Sequence, residues 1–217
     1  MNGCGFTTKN ITINNMATID SSLKNMLLTL LIITAISGTS LGFVYKMTKE
    51  PIAAAKAKKQ QKAIKLVVAE FTNNPAEDVV ELTSKEGFPI KIFPARKDNQ
   101  LVGVAVETMT NKGFGGDVRL MVGFKPDGTI INYQVLEHKE TPGLGTKMGL
   151  WFKTDKGNQS VLGKNPGTSK LTVSKDGGDV DAITAATISS RAFLDAVRIG
   201  YETFMDNKNK IEKGAAQ

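Results

Sequence analysis

Near the start of the chain, Asn25 to Tyr45 (NMLLTLLIITAISGTSLGFVY) runs for 21 residues without a charge, between Lys24 and Lys46. No other feature limits the fold so strongly. As a helix rising ~1.5 Å per residue it matches the ~30 Å hydrocarbon core of a bilayer. A cleaved signal peptide would carry a shorter apolar core of about 7–15 residues, ending in small residues of the A-x-A kind. This run is longer and continues into a helical pattern, so it reads as an uncleaved membrane anchor, placed at 25–46. A buried core helix would show a polar face, and none interrupts the run. The preceding tail, 1–24, contains Met16 as an alternative start.

What remains of the 217 residues suffices for one compact domain of about 100–150. The net charge of +7 is concentrated just after the anchor. Lysines 46, 49, 56, 58, 59, 62 and 65 face a single acid, Glu50. Nucleic-acid binding is a poor account of this cluster, because no aromatics are interleaved and no recognition motif is present. A solvated helix face beside anionic lipid headgroups fits better. By the positive-inside tendency the cluster places the following domain in the cytoplasm, although long domains escape that rule. With Cys4 the only cysteine and His138 the only histidine, the chain cannot assemble an internal disulfide, a cysteine-ligated cluster or a conventional zinc site.

Beyond the anchor, 47–72 reads as a membrane-proximal helix. Pro51 occupies its first turn, and Ile64, Val67, Val68 and Phe71 fall on one face. The period then changes. PIKIF (89–93), LVGVAVET (101–108), VRLMVGF (118–124) and TIINYQVLEH (129–138) are β-branched and divided by turn residues, and KPDGT (125–129) predicts a hairpin. A Gly- and Lys-rich stretch, 143–178, predicts loops with a short strand at KLTV (170–173), and a helix is expected from Arg191 to Asp206. The expected fold is α+β: a single N-terminal transmembrane helix followed by a small antiparallel-sheet domain with packed helices, over 73–208, and a tail at 209–217.

Three stretches carry candidate chemistry. In NKGFGGDVRL (111–120), glycines around Phe114 either make a plain turn or let the backbone, with Gly115, approach a planar ligand. In EHKETPGLGTKM (137–148), Gly143 and Gly145 flank Leu144, which either folds into the core or stacks on a flat apolar surface. In the second case Glu140 or Thr141 would fix polar atoms. In DAITAATISSRAF (181–193), Ser189 or Ser190 is expected to cap the helix. That leaves the segment Thr184, Ala185, Ala186, Thr187 unexplained. Small residues around a hydroxyl before a helix leave room for a phosphate against free N–H groups.

The anchor, GFGG, ETPGLG and D-x-[IL]-T-x-A-T-x-[ST]-[ST], in that order, resemble the FMN-binding domain family. Within it the likeness is to G subunits of Rnf ion-translocating oxidoreductases, with C subunits of sodium-pumping NADH:quinone reductases as a related branch. The resemblance implies covalent FMN, held by a phosphoester to Thr187. Asp181 and Thr184 would belong to the signal read by a flavin transferase. Leu144 would lie against the isoalloxazine ring, with Glu140, Thr141, Gly143 and Gly145 around it and Phe114 and Gly115 flanking the pocket. Ala185 departs from the family pattern, which has glycine there. The resemblance further implies an electron-relay subunit of a ferredoxin:NAD complex, with other membrane subunits as partners. Its single-pass anchor would lie in the bacterial inner membrane with the domain on the periplasmic side, opposite to the lysine count. A membrane-anchored adaptor without a chromophore is the reading from another class.

Overall fold

The computed structural model describes residues 22–68, 70–98 and 100–212. Most of the expected N-terminal tail, including Cys4 and Met16, and the last five residues lie outside them. The chain divides into two compact units at Ala53/Ala54.

Helix α1 spans Leu23–Val67. It is long and apolar enough to cross a membrane, the one such helix among the described residues. Its threonines fit an apolar span because each hydroxyl returns to the helix backbone. Thr29 donates to Asn25 O at 2.7 Å, Thr34 to Leu30 O at 2.9 Å and Thr39 to Ala35 O at 2.7 Å. The membrane-proximal helix expected over 47–72 is the continuation of α1 as far as Val67, with no break between it and the apolar span. Pro51 sits inside one continuous helix, where its missing N–H leaves the Met47 carbonyl without its usual donor.

The second unit is built on a five-stranded antiparallel sheet in the order β1-β2-β3-β4-β5. The strands are β1 (Val80–Thr83), β2 (Pro89–Lys97), β3 (Gln100–Gly113), β4 (Gly116–Phe124) and β5 (Ile130–His138). Alternation assigns each residue a face. Ile90, Ile92, Val104, Val106, Leu120 and Val122 turn to one side and meet α3 (Thr187–Asp206). Phe93, Ala95, Ala105 and Met121 turn to the other and meet Ala63, Ile64 and Val67 at the end of α1. The expected hairpin at 125–129 forms, closed by Lys125 N–H on Thr129 O at 2.8 Å. β3 runs further than expected, and β1, with only Val80 fully turned inward, carries too little pattern to read. The strand expected at KLTV does not form: Val173 makes only an isolated bridge to Val180.

Helix α3 is the centre of the larger core. Phe193 stacks on Phe152 at 4.3 Å and meets Tyr133 edge-on at 4.7 Å. The Tyr133 hydroxyl donates to Met148 O at 2.6 Å, at the start of the short α2 (Met148–Trp151). Burial pushes the Tyr133 phenol well above its ordinary range, so it stays a donor. Thr108 Oγ1 donates to Ala196 O at 2.8 Å, fixing α3 along β3. A final short helix, α4, spans Lys208–Glu212. α3 is therefore held from below along its length, and its N-terminus is left at one end of the sheet.

Candidate functional site

At that end three segments converge: the tip of the β3–β4 hairpin, closed by the Gly113–Gly116 pair, the loop after His138, and the approach to α3. One buried side chain joins them. Glu140 is 5% exposed. Its Oε1 accepts the Gly115 N–H at 3.0 Å, and its Oε2 accepts the Ser189 hydroxyl. The neighbouring glycines are shaped to it. A Cβ on Gly113 would stand 2.5 Å from Glu140 Oε1, and one on Gly145 would stand 2.7 Å from Oε2. Gly113 of GFGG and Gly145 of PGLG thus make room for a carboxylate of the chain itself.

Two turns of the same build face each other across the site. In the first, Leu144 N–H returns to Thr141 O at 3.2 Å, with Pro142 second and Gly143 third at φ +75°. In the second, Ala186 N–H returns to Ile183 O at 2.9 Å, with Ala185 third at φ +61°. A left-handed third residue is the demand of type II turns and suits glycine. Glycine would meet that demand without strain where this chain carries Ala185.

Between the turns lies a cavity of about 350 Å³. Phe114, Leu144 and Ile188 supply apolar walls, Thr141, Thr187 and Ser189 supply hydroxyls, and Gly145, Ala185 and Ala186 complete the lining. Phe114 is 68% exposed and Ile188 47%, so large apolar groups stand open to the cavity rather than filling a core. Thr187 is half-buried and is the first residue of α3.

The helix starts earlier than the sequence suggested, and neither serine caps it. Ala186 is the N-cap residue and makes no side-chain cap. The serine hydroxyls are committed elsewhere: Ser189 to Glu140, and Ser190 to Ala186 O at 3.0 Å while accepting the Ile183 N–H at 2.9 Å. The N–H groups of the first turn consequently face the Thr187 end without a side-chain cap, carrying the positive end of the helix dipole. An anionic group fits there, with a flat apolar body between Phe114, Leu144 and Ile188.

Of the residues singled out from the sequence, Phe114, Thr141, Leu144, Gly145, Ala185, Ala186, Thr187 and Ser189 are brought together in the lining. Glu140 and Gly115 stand behind it. Thr184 and Gly143 are exposed in the two turns. Asp181 is tied to a different neighbourhood. Its carboxylate accepts Asn158 N–H at 2.9 Å and Ser174 Oγ at 2.8 Å, which hold it below the usual carboxylate range, and its carbonyl accepts Trp151 Nε1–H at 2.9 Å. Ile188 was missed by the sequence reading. Its signal was a large apolar residue lying outside the helical stripe of Phe193, Val197 and Phe204.

A second cavity of about 340 Å³ lies between α1 and the sheet. Lys56, Lys59 and Arg119 there alternate with Glu107 and Glu137, and Gln60 donates to Glu107 Oε2 at 2.5 Å. Charges of both signs already engaged with one another make it a joint between helix and sheet. The first cavity has the chemistry of a binding site.

Comparison with known proteins agrees with that choice. Residues 113–202 match the FMN-binding domain family, a span that contains all three segments around the cavity. The G subunit of the ion-translocating oxidoreductase complex of Haemophilus influenzae is 34% identical over 181 residues, covering 80% of this chain and 86% of that protein. The protein of the same name from Vibrio cholerae is 32% identical over 197 residues, covering 87% and 92%. That from Yersinia pestis is 37% identical over 174 residues, covering 76% and 82%. The chain belongs to this family of G subunits. Its similarity to them runs through most of the chain, not through the cavity segments alone.

Proposed function

We propose that this protein is a membrane-anchored electron-transfer subunit of an Rnf-type ion-translocating oxidoreductase, carrying FMN in the cavity and bonded through its phosphate to Thr187. The observation that carries this reading is the position of Thr187. Its hydroxyl stands at the first residue of α3, in the cavity wall, beside N–H groups that no side chain caps. A phosphate there gains both donors and the favourable end of the helix dipole. Phe114, Leu144 and Ile188 would hold the ring, Ala185 and Ala186 leave space for the phosphate, and Thr141 offers a hydroxyl to the polar edge. Bound FMN supplies one-electron chemistry.

The protein's own contribution is position. A phosphoester at the start of a helix packed on the sheet along its length fixes one end of the cofactor, while the apolar wall excludes water from the other. The tether also keeps the flavin from being lost by dissociation. Attachment would need a separate flavin transferase, for which Asp181 and Thr184 form part of the recognised segment. The remaining subunits would complete the route between ferredoxin and NAD. We place the anchor in the bacterial inner membrane with the flavin domain on the periplasmic side.

The test is a denaturing gel viewed under ultraviolet light, with protein exported and co-expressed with a flavin transferase. The wild type gives a fluorescent band and Thr187→Val a dark one. A dark wild-type band, or an equally bright Thr187→Val band, rules out the attachment.

A further inference from the structure

We infer that Glu140 is a positioning residue whose buried carboxylate both assembles the flavin cavity and lowers the reduction potential of the group held there. The inference rests on the cavity being the FMN site.

Burying a charged group costs several kcal/mol unless it is well satisfied. Glu140 is 5% exposed and its two hydrogen-bond partners, Gly115 N–H and the Ser189 hydroxyl, are both neutral. A residue retained under such terms at the meeting point of three segments has work to do there. The first part is mechanical. Glu140 is the link from the loop after β5 to both the β3–β4 hairpin tip and the first turn of α3, the two elements that carry Phe114 and Thr187. Its own N–H is held by His138 Nδ1 at 3.2 Å, which fixes the loop from behind.

The second part is electrostatic. Gly145 and Ser189 line the cavity, and Glu140 lies directly behind both. A Cβ on Gly145 would come within 2.7 Å of Glu140 Oε2, so only a strip of backbone stands between the carboxylate and the cavity. Reduction adds negative charge to a flavin. A carboxylate just behind a water-poor wall opposes that charge more strongly than it would in bulk water. The charge therefore biases the bound group towards its oxidised form.

The geometry allows the two parts to be separated. In Glu140→Gln the amide carbonyl can accept from Gly115 N–H while the amide N–H donates to Ser189 Oγ, since a hydroxyl accepts as well as donates. The shape is kept and the charge is lost. In Glu140→Ala both are lost.

The experiment uses the membrane-anchored, flavinylated protein and follows its absorbance in a redox titration, with the gel fluorescence of each variant recorded alongside. Glu140→Gln is expected to be flavinylated like the wild type and to have a more positive midpoint potential. Glu140→Ala is expected to lose most of its fluorescence relative to wild type. A Glu140→Gln potential equal to or below that of the wild type overturns the electrostatic part, and full flavinylation of Glu140→Ala overturns the clamp. If Glu140→Gln misfolds, Ser189→Ala decides, because it keeps the charge and removes one of its donors. Its potential must stay or fall, and a rise overturns the inference. A dark wild-type band would instead sink the covalent FMN attachment proposed above, whereas a bright wild type with unmoved variants sinks this inference alone.

Discussion

Ala185 is strained, and relieving it should stabilise the protein. Its φ of +61° is in the left-handed region, where an L residue with a Cβ pays roughly 1–2 kcal/mol and glycine does not. Ala185→Gly recovers that amount but makes the unfolded chain more flexible, at a cost of about 0.4–1 kcal/mol. The methyl is exposed, so its loss removes little buried surface. The net gain is about 0.5–1 kcal/mol, which for a domain of this size raises Tm by about 1–4 °C. Thermal melting by circular dichroism of flavin-free protein measures it. Ala186→Gly is the matched control one residue on. There φ is −137° and the methyl is only 8% exposed, so no strain is relieved and buried contact is lost. The more flexible unfolded chain costs about 0.4–1 kcal/mol, so the Tm of this variant should not rise above the wild type. Should Ala185→Gly melt no higher than the wild type, or should the two glycine variants melt alike, the strain argument fails.

Two further outcomes follow from charge. Burial pushes the Asp195 carboxyl up, but hydrogen bonds from Arg198, Thr110 and Lys112 outweigh it and hold it below the ordinary 3.8. Such a depressed group stabilises the fold fully above the unfolded value and loses that contribution as pH falls through the folded one. Asp195→Asn should therefore cost about 1–3 kcal/mol at neutral pH, and the Tm gap from wild type should narrow below about pH 4; a gap that widens on acidification contradicts this. For orientation, protease added to intact spheroplasts should digest the domain after the anchor, whereas its full protection would restore the orientation favoured by the lysines.

The sheet was legible because its signals are local. β-branched alternation marked β2 to β5, and Asp127-Gly128 marked a turn whose closing bonds lie within five residues. The site was legible as segments and not as an arrangement. Ser189 and Ser190 looked like caps because a serine before a helix usually is one. Nothing nearby in the sequence says that Glu140, 49 residues away, takes one hydroxyl. The same partner explains the glycines at 113 and 145, whose close approach is to that carboxylate. Asp181 was likewise read from the motif, while its partners Asn158 and Ser174 come from a loop region with no periodicity to interpret. Pairings between distant irregular segments leave no trace in local pattern, so chemistry could be read at single residues before its geometry could be read at all.

The end of α1 supplies one wall of the sheet's outer layer, with Ala63, Ile64, Val67 and Val68 closing over Phe93, Ala105 and Met121. The anchor is thus not a leash that can be trimmed back to the first strand. A soluble fragment beginning at residue 73 would leave those three side chains facing water, an apolar patch of the kind that drives aggregation. One beginning at Ala54, where the second compact unit starts, carries its own lid. The practical boundary of the flavin domain falls at Ala54, well before its first strand opens at Val80 and inside what the sequence assigned to the membrane-proximal helix.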